Sequence, residues 1–96
     1  MVSFYGTICR MLQKKHRATL EAIFDKPTRS GIIWTEIEAM LKALGAEISE
    51  GSGSRVRIAL NKRKAVFHRP HPKKETDKGA VTSMRRFLTE SGVKPC

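Results

Sequence analysis

The sequence predicts an α+β domain in which helices pack on one face of a three-stranded antiparallel sheet. Apolar residues recur with the helical period in three separate stretches, and between Ala46 and His68 that period drops to two. The length of 96 residues adds a third observation: it allows one domain with a small core, able to fold without metal or disulfide staples.

The first helix is expected from Arg17 to Phe24, where Leu20, Ile23 and Phe24 share a face. Asp25-Lys26-Pro27 ends it, because proline cannot continue a helix, and Thr28 to Gly31 reads as a polar loop. Thr35 and Glu38 have the spacing of a capping box, in which hydroxyl and carboxylate each satisfy an orphan backbone N–H. A second helix is therefore expected to start there, with Trp34 before it as a staple into the core. Ile37, Met40, Leu41 and Leu44 form its apolar stripe, and Gly45 supplies the left-handed residue that closes it.

Glu47 to Ser49 is expected as a short strand, followed by the loop Gly51-Ser52-Gly53-Ser54. Arg55 to Leu60 alternates polar and apolar as a half-buried strand does, Asn61-Lys62 makes the turn, and Lys64 to His68 returns. A two-residue turn sets Leu60 opposite Arg63, Ile58 opposite Ala65, Val56 opposite Phe67 and Arg55 opposite His68. Val56, Ile58, Ala65 and Phe67 then face the core, and Arg55, Arg57, Lys64, Val66 and His68 face away from it. Pro70 and Pro72 break the sheet. Asp77 is a natural cap for a last helix with Val81, Met84, Phe87 and Leu88 as its stripe and Ser91-Gly92 as its end. Residues 14–96 are assigned to this single domain. Residues 1–13 are expected to form an extension, disordered or foreign to the domain, and Met11 offers an alternative start that would make residues 1–10 an artefact of start-codon choice.

Charge is distributed unevenly. Residues 1–50 hold seven Lys and Arg against six acids, whereas residues 51–96 hold twelve against three, so nearly all of the net +10 lies in the second half. Solubility alone does not require a surplus so local. Nucleic acid is the leading partner, ahead of an acidic protein surface and an anionic membrane; the bland alternative is a solvated basic face. Cys9 and Cys96 form neither a Cys-x-x-Cys pair nor a zinc spacing, and read as free thiols of a reducing cytosol. No stretch approaches the roughly 18 apolar residues of a membrane helix, and no basic run precedes the apolar start as in a secretory signal. The expected location is the cytoplasm, with no membrane partner.

Gly53-Ser54-Arg55, the block Phe67-His68-Arg69-Pro70-His71-Pro72, Lys78-Gly79-Ala80-Val81, Arg86-Phe87-Leu88 and Ser91-Gly92-Val93 together resemble the HicA family of toxin endoribonucleases. Lys15 to Phe24 is similar to the N-terminus of one branch of that family, so the resemblance spans roughly residues 14 to 93. It implies a fold like the double-stranded-RNA-binding domain, messenger RNA cleavage without a metal or other cofactor, and a hetero-oligomer with a HicB antitoxin of a type II toxin-antitoxin system. One departure stands out. The family's catalytic His follows Gly-Ser, where this chain has Arg55, and a guanidinium has no acceptor lone pair with which to move protons.

RNA cleavage needs a base for the 2′-hydroxyl, an acid for the leaving oxygen and cations for the pentavalent phosphate. Histidine suits the proton transfers because an imidazole gives and takes a proton near neutrality. His68, opposite Arg55, is the first candidate, although a lone strand-end His is more often a surface residue. His71, between two prolines, is the second, and His16 is expected to be merely solvated. Arg55 is expected to clamp the scissile phosphate, and Ser54, Arg57, Lys64, Arg69, Lys73 and Lys74 to contact RNA. Ser52 and Ser54 have no carboxylate-oriented His to make either a nucleophile. Two readings follow: a toxin endoribonuclease, or a catalytically silent module that keeps the fold and binds RNA or an antitoxin.

Overall fold

The computed structural model describes residues 12–70 and 73–94; residues 1–11, the His71-Pro72 pair and both cysteines lie outside the described residues. The element order is α1 (Lys14–Phe24), β1 (Ile32–Ile33), α2 (Trp34–Ala43), β2 (Glu47–Glu50), β3 (Arg55–Leu60), β4 (Arg63–His68), β5 (Glu75–Thr76) and α3 (Lys78–Glu90). The fold is α+β, with an antiparallel sheet in the order β2-β3-β4 and a separate two-stranded ladder of β1 and β5.

Helix α1 starts at Lys14, three residues before the expected start at Arg17, because the Gln13 carbonyl collects the N–H groups of His16 and Arg17 at 3.0 Å. Its last carbonyls are satisfied from a distance. Arg85 of α3 donates Nε to Ile23 O at 2.9 Å and Nη2 to Asp25 O at 3.0 Å and Thr28 Oγ1 at 3.1 Å. Leu20 and Ile23 are fully buried, each burial contributing about 1.5–3 kcal/mol.

The capping box expected at Thr35 and Glu38 does not form. Helix α2 begins at Trp34, its extended cap Ile33 two residues ahead of the expected Thr35 and without a side-chain cap bond. The cause is β1: Ile32 and Ile33 pair with Thr76 and Glu75, and the Trp34 N–H goes to the Lys74 carbonyl at 3.0 Å. A neighbouring strand's backbone thus takes an orphan donor of the first turn, and no hydroxyl is needed. Glu38 is engaged elsewhere, accepting from the Trp34 indole and from Arg69. Two-residue strands are too short to leave a period-two signature, which is why the β1–β5 ladder is not visible in sequence.

The β3–β4 hairpin adopts the expected register, with Arg55 opposite His68, Val56 opposite Phe67 and Ile58 opposite Ala65. Asn61 and Lys62 take φ of 50° and 68°, the pair of left-handed residues that a type I′ turn requires. Asn61 Nδ2 also donates to Ser91 O at 2.8 Å, fastening the hairpin tip to the end of α3. On the helix side Val56, Ile58, Leu60 and Phe67 meet Ile37, Met40 and Leu41 of α2 and Val81, Met84, Phe87 and Leu88 of α3 in one core. Asp77 caps α3, its Oδ1 accepting from the Ala80 N–H at 2.8 Å.

Candidate nucleic-acid interface

The face of the sheet opposite the helices is uncovered among the described residues. Three strands set it out in rows. Glu47, Ala59 and Lys64 make the first, Ser49, Arg57 and Val66 the second, and Arg55 and His68 the third. Ser49 and Ala59 are small, so the middle of the face dips into a shallow hollow of about 660 Å³ rimmed by Glu47, Arg57, Lys64 and Val66. Val66 is 57% exposed, the one large hydrophobic side chain left open among the described residues.

The third row carries the chemistry. The Arg69 N–H bonds to Ser54 O at 2.9 Å, so 54 and 69 are a hydrogen-bonded pair and the adjacent 55 and 68 are not. Side chains of a non-hydrogen-bonded pair lie closest, with Cα atoms about 4.5 Å apart. His68 and Arg55 are therefore close cross-strand neighbours on the same exposed face.

His68 is held from both sides. Phe67 before it lies 6.1 Å from the Trp34 ring and 5.9 Å from the Phe87 ring, edge-on to the latter, and so is fixed between α2 and α3. Arg69 after it donates Nε to Glu38 Oε2 at 2.8 Å, Nη2 to Glu38 Oε1 at 3.3 Å and Nη1 to Glu50 Oε1 at 2.5 Å. The hydrogen bond from Arg69 holds the Glu50 carboxyl below the usual carboxylate value, outweighing the opposing effect of desolvation, and the charge of Arg69 adds to it. Glu50 and Glu38 in turn push the guanidinium further toward its charged form.

Arg69, expected from the sequence to contact RNA, has its side chain bonded to Glu38 and Glu50 in the structure. It shares the parity of Phe67, so its side chain leaves on the helix side, where two carboxylates offset its charge. Parity was the signal that could have found this; the partners Glu38 and Glu50 lie 31 and 19 residues away and leave none. Arg57 and Lys64 are exposed on the open face as expected, and Ser54 is exposed at its end. Lys73 and Lys74 are exposed in the segment that follows β4, the Lys74 carbonyl fixed on α2. His71 lies outside the described residues, and His16 sits on α1, at the rim of a separate hollow between α1 and α2.

No helix among the described residues is long and apolar enough to cross a membrane. Comparison with curated proteins and with solved structures gave no match. A family model does match: that of the HicA toxin of bacterial toxin-antitoxin systems, over residues 34–93, from the first residue of α2 to the buried Val93 beyond α3. The stretch holds the whole three-stranded sheet, the Arg55–His68 row and the Arg69 bridge, and with well over half of its length matched the chain belongs to the HicA toxin family.

Proposed function

We propose that the chain is an endoribonuclease that cleaves messenger RNA without a metal ion, so arresting translation, and that a HicB-type antitoxin neutralises it. The observation that carries this reading is the Arg55–His68 pair on an uncovered, basic sheet face. In such a cleavage the 2′-hydroxyl gives its proton to a base and its oxygen bonds to the adjacent phosphorus. The bond from phosphorus to the 5′-oxygen breaks, and that oxygen takes a proton. His68 is the base on this reading, and His71 the second proton-transfer group. Arg55 presents a fork to the phosphate as negative charge builds on it. Ser54, Arg57, Lys64, Lys73 and Lys74 hold neighbouring phosphates, and Arg69 serves by keeping the end of β4 rigid.

The antitoxin on this reading covers the same face with acidic or amide groups, because complementary charge steers association and like charge opposes it. Co-expression with the neighbouring reading frame should yield a stable complex in which Arg57 and His68 are protected. An antitoxin docked only on α1 and α2, with both residues open, would contradict the reading.

Arg55 itself favours a second reading. With a guanidinium at the position of the family's His, the chain is a binding module that holds RNA or antitoxin on the same face without cutting. Incubating the purified protein with labelled RNA, with and without EDTA, separates the two. Cutting that survives EDTA supports the nuclease, and binding without cutting supports the module.

A further inference from the structure

Strand β4 is the last strand of its sheet, and its free edge has a defined pattern. Bonding at the 54–69 pair, with the residue pairs in β3–β4 alternating, turns the backbone of Arg63, Ala65 and Phe67 toward β3. The N–H and C=O groups of Lys64, Val66 and His68 consequently point away from β3, and no partner for them exists among the described residues. Beside this edge runs a groove of about 790 Å³ whose far wall is α3. Its floor is apolar where Phe67, Ala80 and Phe87 meet. Lys62, Arg63, Lys64 and Arg86 line it against two acids, both already engaged: Asp77 caps α3 and Glu90 pairs with Arg86.

We infer that the open edge of β4, walled by α3, accepts an extended acidic segment of a partner protein as a fourth strand of the sheet. Three outward N–H groups alternate with three outward C=O groups, which is the complement of another strand. A nucleic-acid backbone does not match it, since phosphate oxygens accept only and the three carbonyls would repel them. Alternate residues of the incoming segment would rest on the apolar floor while those between reach Lys64 and His68 on the open face. Lys62, Arg63 and Lys64 favour acidic residues in the incoming segment and disfavour a second β4, which would bring two basic edges together. That the partner is the antitoxin rests on the function proposed above; the strand site itself does not.

The test uses the full chain and a synthetic peptide alternating valine and glutamate, about eight residues long to span the six-residue strand. Binding should slow amide hydrogen exchange at Lys64, Val66 and His68 at least about tenfold, and leave Arg63, Ala65 and Phe67, already bonded to β3, little changed. Val66→Pro should weaken binding about tenfold while the hairpin stays folded by circular dichroism, since proline is tolerated where a strand N–H faces solvent. A peptide N-methylated on its pairing edge keeps the charges and should lose the effect even if Val66→Pro does not fold. Equal binding of the methylated peptide, or no binding of either, would overturn the inference. So would protection of the same amides by an oligouridylate, which would make the groove an RNA site, or self-association of the chain without peptide. None of these readouts uses RNA cleavage, so they stand or fall apart from the nuclease reading.

Discussion

Replacing Arg69 by Ala removes a guanidinium that joins α2 to the sheet beside His68. Its two bonds to Glu38 lie where the carboxylate side chain is 15% exposed and the arginine 33%. Hydrogen bonds to charged groups contribute about 1.5–3 kcal/mol net, and partial exposure of the arginine argues for the lower part of that range. The contact with exposed Glu50 adds little to this. The variant also leaves Glu38 with only the Trp34 indole as a partner. A loss of about 2 kcal/mol follows, which in a domain of this size lowers Tm by about 8–16 °C. Urea unfolding followed by circular dichroism measures it, and a double-mutant cycle with Glu38→Gln should return a coupling of about 1 kcal/mol or more. The pH dependence has a definite sign. Glu50 is held below its ordinary carboxylate value by Arg69, so its contribution is present above that value and lost as pH falls through the lowered one; Arg69→Ala should flatten this acid limb. A loss below about 0.5 kcal/mol, or strict additivity with Glu38→Gln, would refute the bridge as a structural tie.

His68→Ala should abolish RNA cleavage and cellular toxicity, a rate loss of about 10²–10⁴, with RNA affinity nearly intact in a filter-binding assay; full activity in this variant would remove His68 from the mechanism. Arg55→Ala should lower kcat by about 10²–10³ while keeping the shape of the pH–rate profile, measured by single-turnover kinetics. If Arg55, Arg57, Lys64, Lys73 and Lys74 each neutralise one phosphate of a single strand, the logarithm of the binding constant should fall against the logarithm of salt with a slope of about −3.5, and binding indifferent to salt would contradict the interface. Asp77→Ala should cost about 1 kcal/mol by denaturant titration, through loss of the cap on the Ala80 N–H.

The parts legible in sequence were those whose physics is local. The stripe of Ile37, Met40, Leu41 and Leu44 needs only the helical period, and the register that sets His68 against Arg55 needs only the period of two and the turn chemistry of Asn61-Lys62. The start of α2 departs from the local signal because Thr35-x-x-Glu38 is overridden by a distant partner, the backbone at and just before β5, about forty residues downstream. Arg69 illustrates both cases. Its side of the strand follows from parity with Phe67, but its commitment to Glu38 and Glu50 depends on how α2 and β2 come together in space. The open edge of β4 needed the strand order, which no spacing in the chain announces.

Helix α1 precedes the stretch that matches the family model, yet Leu20 and Ile23 are wholly enclosed and Arg85 of α3 reaches back to the carbonyls at the helix's end. The unit of descent and the unit of folding therefore have different boundaries in this molecule. A polypeptide begun at Trp34 would keep every residue that the family model matches and would lose the cover over one flank of α2 and α3. It would behave as an incomplete globule, prone to associate through the bared apolar surface. Swapping domains between relatives by homology limits alone would cut through a cooperative core, and the safer junction lies upstream of Leu12, itself buried in that core.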